Sequence, residues 1–320
     1  MPITVVGSIA YDAVKTPFGE RERMLGGAAV HFALAASFFD EVRVVGPVGD
    51  DFGESELKLL AERGVDTTDI ERVPGGKTFF WRGEYGWDLN SRETLDTQLG
   101  VFEGFQPKLS ASSLSSDVLF LANIQPDLQL QVREQLAQAR FVALDSMNLW
   151  IDIAREGLVS AIRGVDCLIL NDAELRQLTG KPNLITAARE ILSWKSPTDS
   201  RRGPSVVVAK QGEYGAALVT REGFFALPAY PLESVIDPTG AGDTFAGGFV
   251  GYIAAHGSQR LSADLLRGAM AHGTALASFN VEEFGTERVE RLTAQEITTR
   301  VGELRQITDF TATGLKPASS

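Results

Sequence analysis

The chain has 320 residues, 44% of them hydrophobic and 22% charged, an ordinary balance for a globular protein long enough for one large domain or two smaller ones. Thirty Lys and Arg against forty-two Asp and Glu leave a net charge of −12, a field that repels nucleic acid and anionic membranes and argues against both as partners. An anionic ligand would need positive groups arranged locally.

Short β-rich runs recur along the chain: ITVVG (3–7), VRVVG (42–46), DVLFLA (117–122), FVALD (141–145), DCLILN (166–171) and SVVVAK (205–210). Most are apolar nearly throughout, as strands covered on both faces should be. Between them lie helical patterns at 26–39, 55–64, 129–139 and 183–194. This alternation predicts an α/β fold with a doubly wound, mostly parallel sheet. AALVT (216–220) and GFFALP (223–228), split at Glu222-Gly223, predict an antiparallel hairpin.

The stretch from Val73 to about Phe105 breaks the rhythm. TFFWRGEYGW (78–87) reads as strand, and with TPFGERERML (16–25) it predicts a small antiparallel sheet outside the main one, placed to act as a lid. KSPTDSRRGPS (195–205) reads as a surface loop and residues 311–320 as a disordered tail.

The lone Cys167 lies in apolar VDCLIL, so the chain can build neither a disulfide nor a cysteine zinc site. MPITVVGSIAYD lacks the basic segment and the apolar length of a secretion signal. No run approaches the roughly 18 apolar residues of a membrane span. A cytoplasmic protein is expected.

Two familiar phosphate motifs fail. GGKT (75–78) resembles the end of a P-loop, but Glu71 stands where the first glycine belongs and a strand follows instead of a helix. The dinucleotide pattern GxGxxG is not met at 240–248, where Phe245 takes the place of the third glycine, nor after the first strand.

IDPTGAGDTFAGG (236–248) carries the strongest signal. Phe245, Phe249, Tyr252 and Ile253 share one helical face after Gly242, and Gly247, Gly248 and Gly251 predict close approach by another element. Read plainly, this is a capped, buried helix. Read functionally, the helix start is a hole of backbone N–H groups for an anion, with Asp243 within reach of a hydroxyl that attacks phosphate.

DPTGAGDTF, together with LGGAA (25–29), resembles the PfkB carbohydrate kinase family of ribokinase-like fold, and the likeness runs over roughly residues 3–285. It implies one kinase domain over 1–310 with lid segments at about 12–26 and 75–105. It implies Asp243 as the base that deprotonates the acceptor's primary hydroxyl, and Gly240, Ala241 and Gly242 as N–H donors to the transferred phosphoryl group. Asn171 and Glu174 of NDAE match the family's N-x-x-E, which organises Mg²⁺ through water; on their own they read equally as a helix cap. Lys210, Gly212 and Gly215 of KQGEYG fall where the family binds ATP. Asp237 and Thr239 fall where many members hold a monovalent cation such as K⁺. The segment Ala277–Phe284 would lie against adenine.

On the acceptor side the resemblance implies Asp12 as the acid that takes sugar hydroxyls, with Gly26 and Gly27 allowing close approach. Asp12 alone also reads as a turn residue after a strand. The run GGAAVH places His31 where ribokinases have an asparagine that contacts the sugar, which argues against free ribose; a lone histidine in an apolar helix is otherwise a core residue. Phe79, Phe80, Trp81, Tyr85 and Trp87 offer stacking surfaces for a nucleobase, or the faces of an ordinary half-buried strand or dimer interface. No dense Arg/Lys cluster marks a second phosphate pocket, so substrates already phosphorylated are disfavoured, with Arg82 in the lid keeping that option barely open. The expected activity is ATP-dependent phosphorylation of a ribose-like 5′-hydroxyl in a sugar or nucleoside, with a homodimer through the lid as in some relatives. The rival readings are a non-catalytic sugar- or nucleoside-binding regulator on the same fold and a nicotinamide dehydrogenase.

Overall fold

The computed structural model describes residues 1–196, 203–257 and 261–310. The tail at 311–320 and most of the predicted loop at 195–205 lie outside these residues. Fourteen strands occur among the described residues: β1 (Ile3–Val6), β2 (Ala10–Thr16), β3 (Gly19–Gly26), β4 (Val42–Val48), β5 (Val65–Asp66), β6 (Ile70–Arg72), β7 (Phe79–Tyr85), β8 (Arg92–Gln98), β9 (Val118–Leu121), β10 (Phe141–Asp145), β11 (Cys167–Asn171), β12 (Val206–Lys210), β13 (Ala216–Thr220) and β14 (Phe224–Leu227).

The main sheet has the order β14-β13-β12-β11-β10-β9-β1-β4-β5, with β6 also on β4. From β12 to β5 every pairing is parallel, and only the β12-β13-β14 hairpins run antiparallel. Its strands are apolar at consecutive positions because both faces are covered, and the alternation of a strand's side chains separates the two cores. Ile3, Val5, Phe120, Ile169 and Val208 join a cluster with the helices Ala28–Ala36, Ala241–Ala255 and Ala263–Asn280. Val6, Leu119, Leu121, Leu168 and Val207 face the helices Pro126–Gln135, Arg155–Arg163, Asp172–Thr179 and Leu184–Ser193. Close packing accounts for the glycines of helix Ala241–Ala255. A Cβ on Gly247 would lie 2.4 Å from the Phe32 carbonyl oxygen, and one on Gly248 would lie 2.9 Å from the Cα of Gly273.

The second sheet, β3-β2-β7-β8, stands outside the main one as predicted and is mostly antiparallel. The exception is β2, which runs parallel to β7, while β2-β3 and β7-β8 are antiparallel. Asp12 sits inside a strand rather than in a turn, because the chain leaves the main sheet at Gly7 and enters the second at Ala10. The helix expected at 129–139 begins three residues earlier, where Pro126 at its first turn supplies a helical φ, and ends at Gln135. Among the described residues no helix is long and apolar enough to cross a membrane.

Candidate active site

Gly240 takes a left-handed conformation (φ 74°) and caps helix Ala241–Ala255, where the chain turns sharply: the Ala241 N–H donates to the Pro238 carbonyl at 3.2 Å, and the Gly242 N–H in the first turn has no backbone acceptor among the described residues. Asp243 stands in that first turn. Its carboxyl is pushed up to about 7, first by burial and then by the charge of Asp145, with Lys210 pulling the other way. The residue is half-buried, so part of its surface stays accessible.

Lys210 ends β12 and Asp145 ends β10, on either side of β11. The Lys210 ammonium bonds the Asp145 carboxylate at 2.9 Å, and the Ser146 N–H donates to the other Asp145 oxygen at 2.8 Å. A Cβ on Gly242 would lie 2.9 Å from Lys210 Nζ, so the ammonium rests against the turn itself. Burial works against the lysine's charge, yet Asp145, Asp243 and Glu174 together hold its pKa above the usual value. Motifs in the sequence do not single out Asp145. The available signal is its place as the last residue of a buried parallel strand, since in such sheets the carboxyl ends of the strands gather the site.

Asn171 caps helix Asp172–Thr179 and forms a full capping box with Glu174: the Glu174 N–H donates to the Asn171 side chain, and the Asn171 N–H to Glu174 Oε2. Burial and then the nearby Asp145 raise the Glu174 carboxyl to about 6. The box thus holds Glu174 beside the Asp145–Lys210 pair, with its second oxygen outside the box.

Asp12, Gly26 and Gly27, the residues expected to take the acceptor, lie together in the structure. Asp12 accepts the Gly27 N–H, and a Cβ on Gly26 would collide with its carboxylate. Burial, and then repulsion from Asp237 and Asp243, raises Asp12 to about 7. Asp12 pairs in register with Trp81 on β7, so acid and indole occupy neighbouring positions on the second sheet. The other aromatics separate. Phe79 stacks on Phe102, Phe80 packs against the main core, and Trp87 is 86% exposed in the β7-β8 turn.

Tyr85 is buried, and its hydroxyl oxygen accepts from Thr239 Oγ1 at 3.2 Å, tying the second sheet to the turn. Opposite Tyr85, Arg92 holds its guanidinium 5.3 Å from the Trp81 ring and lowers the proton affinity of Asp12, Glu174 and Asp243. It is a second cation near these carboxyls that sequence reasoning misses, because β8 is mostly polar and reads as loop.

Gly212 and Gly215 bracket a short 3₁₀ turn after Lys210, and Asn90 from the second sheet donates to Glu213 within it. Asp237 is fully buried; one carboxylate oxygen accepts the Thr239 N–H at 2.8 Å and the other the Gly285 N–H at 2.9 Å. In the Ala277–Phe284 segment, the Val281 carbonyl accepts the Ile236 N–H and Phe284 packs with Val14 and Tyr85. His31 is 3% exposed, and its Nδ1 lies 3.1 Å from Asn280 Oδ1. Its ring lies against the Gly240 turn, where a Cβ on Gly240 would meet three of its atoms.

The pfkB family carbohydrate kinase model matches residues 3–291. The chain is 30% identical to the cytidine kinase of Thermococcus kodakarensis over 256 residues, covering 78% of this chain and 87% of that one. The adenosine kinase of Sinorhizobium meliloti superposes with a TM-score of 0.77 at 18% identity, covering 94% of this chain and 98% of that one. The Burkholderia thailandensis nucleoside kinase in complex with inosine superposes with a TM-score of 0.75 at 21% identity, with the same coverage. The family match spans most of the sequence, the glycine turn and the first-turn acid of the buried helix included, and the chain belongs to the pfkB family of carbohydrate kinases, enzymes that transfer phosphoryl groups.

Proposed function

We propose that the enzyme transfers the γ-phosphoryl group of ATP to the primary 5′-hydroxyl of a nucleoside, with Asp243 as the base. The observation that carries this reading is the meeting of three groups at one turn: the glycine backbone opening the helix at Gly240–Gly242, the Asp243 carboxyl held near 7, and the Lys210 ammonium against Gly242. A base with that proton affinity is half ionised near neutral pH and takes the hydroxyl proton as the P–O bond forms. The N–H groups of Gly240 and Gly242, with Lys210, offset charge on the phosphoryl oxygens, while the Ala241 N–H, already donating to the Pro238 carbonyl, would have to be shared.

The acceptor class rests on the second sheet. Asp12 provides a carboxylate for two hydroxyls of a ribose, and Trp81 next to it provides a ring on which a base can stack. The similarity to a cytidine kinase points the same way. In this reading the second sheet is a lid, closed onto the turn through Tyr85 and Thr239 and excluding water from the transfer.

The donor set suits Mg²⁺ held through water: one carboxylate oxygen of Glu174 outside its capping box, beside Asn171 and Lys210, is the sparse oxygen environment that ion accepts. When bound, Mg²⁺ neutralises charge on the phosphates. A K⁺ ion beside Asp237 and Thr239 would share oxygens that already accept hydrogen bonds. Lys210, Gly212 and Gly215 would flank the ATP phosphates, adenine would lie along Ala277–Phe284, and a homodimer would form through the open β8 edge of the lid.

The test is ATP consumption with Mg²⁺ over a panel of nucleosides and free sugars. The reading expects turnover of cytidine, inosine or adenosine above that of ribose. Turnover confined to free sugars would overturn the nucleoside assignment and return Trp81 to a packing role.

A further inference from the structure

Asn280 ends helix Ala263–Asn280 and is completely buried. Its Nδ2 donates to the Thr239 carbonyl at 2.7 Å, and its Oδ1 accepts from Thr244 Oγ1 at 2.9 Å. Thr239 precedes the Gly240–Gly242 turn and Thr244 follows Asp243, so a single amide grips the chain on both sides of the reacting groups. His31 holds the amide from behind. Since Oδ1 faces it at 3.1 Å, the network assigns the imidazole proton to Nδ1. Burial keeps the ring's pKa down to about 4, so it stays neutral at any working pH. His31 Nε2 is buried without a partner among the described residues, and the ring lies flat beneath Gly240: a Cβ there would come within 2.3–2.4 Å of three ring atoms.

The chemistry attributed to the turn makes no direct use of either residue. A hydrophobic side chain would fill the same space without the desolvation that a buried amide and imidazole must offset. What the amide adds is geometry, because hydrogen-bond donors act on a developing charge only when they are already aimed at it.

We propose that Asn280, oriented by His31, is the positioning residue of the phosphoryl-transfer turn, fixing Thr239 and Thr244 and through them the aim of the N–H groups after Gly240 and of the Asp243 carboxyl. The proposal rests on the reading of that turn as the anion hole. His31 acts through the amide and does not contact the acceptor. Loss of the clamp lets the turn drift without disturbing the surfaces that bind nucleotide or acceptor.

The experiment compares Asn280→Ala, Thr244→Val and His31→Phe with the unaltered enzyme, reading kcat, both KM values, ADP affinity by calorimetry and the melting temperature. Displacement of reacting groups by about 1 Å costs on the order of 10²-fold, so Asn280→Ala should lower kcat at least about tenfold, with both KM values and ADP affinity kept within about threefold. Thr244→Val and His31→Phe each remove one bond while keeping shape, and should give smaller losses confined to kcat. They decide the matter if Asn280→Ala does not fold. A kcat within about twofold of the unaltered enzyme in the variants that fold overturns the clamp, whatever the melting temperature does; so does a fall in ADP affinity as large as the fall in kcat. Asp243→Asn run beside them separates the two failures. If Asp243→Asn is inactive while the clamp variants stay active, the clamp alone is wrong; if Asp243→Asn is active, the anion-hole reading falls with it.

Discussion

The Lys210 ammonium lies 2.9 Å from the Asp145 carboxylate and is pressed against the backbone of Gly242, so one ion pair spans the ends of β10 and β12 and reaches the turn that carries Asp243. The pair has two effects on the proposed base. Asp145 is the largest charged contribution raising the Asp243 proton affinity, and Lys210 opposes it. Arg92 acts on Asp243 in the same direction as Lys210. In an acidic protein these two cations meet the need for locally arranged positive charge.

Asp145→Asn should therefore move the pH profile in a defined direction. Removing a negative neighbour lowers the Asp243 pKa, so the acid limb of kcat/KM, centred near 7 in the unaltered enzyme, should move to lower pH. The maximal rate should fall as well, because Lys210 loses the partner that holds it at the turn. A limb that stays in place, read from kcat/KM between pH 5 and 9, would show that the pair does not govern the base.

The same carboxyls make stability depend on pH. Asp12 and Asp243 are held near 7, far above the ordinary carboxylate value, so over the window between the two values the folded protein keeps protons that the unfolded chain releases. Stability from these groups is then highest at low pH and falls as pH rises through about 7. Asp12→Asn and Asp243→Asn should each raise the melting temperature at pH 8, and the gain should shrink toward pH 5. Calorimetric scans at the two pH values check this, and a gain independent of pH would contradict it.

Gly240→Ala meets two obstacles at once. Its φ of 74° strains any residue with a Cβ by about 1–3 kcal/mol, and that Cβ would enter the His31 ring. The variant should lose most activity and melt at lower temperature, as thermal scans and turnover would show. Activity near that of the unaltered enzyme would mean that the turn tolerates displacement.

Trp81→Ala tests the acceptor surface. Nucleoside KM should rise about tenfold or more, in line with roughly 1–3 kcal/mol for stacking on a base, while ATP affinity holds. Equal effects on both substrates would assign Trp81 to the folding of the second sheet.

Much of this architecture is legible in the sequence because its strands are covered on both faces and so stand out as uninterrupted apolar runs such as VVVA and CLIL. The GAGD turn is legible because two glycines ahead of an apolar helical face mark a tight turn at a helix start. The second sheet is only half visible. β7 shows aromatics, but β8 is a polar edge strand, and Arg92 is hidden with it. Asp145 and Asn280 are hidden for another reason. Asp145 is the one polar residue of an apolar strand and Asn280 one of several on a mixed helix, and the significance of each comes from partners 65 and 36 residues away in sequence. His31 carries a family expectation of substrate contact, and only the packing of Gly240 on its ring shows where it lies.

The most direct test of the central claim is Asp243→Asn, read as single-turnover phosphoryl transfer with saturating ATP, Mg²⁺ and the best nucleoside of the panel. General-base removal typically costs about 10²–10⁴-fold, and that loss, with nucleotide and nucleoside affinity retained, is the predicted result. A fall of less than about tenfold would contradict the assignment of Asp243 as the base and would leave the raised proton affinity of that carboxyl without a catalytic purpose.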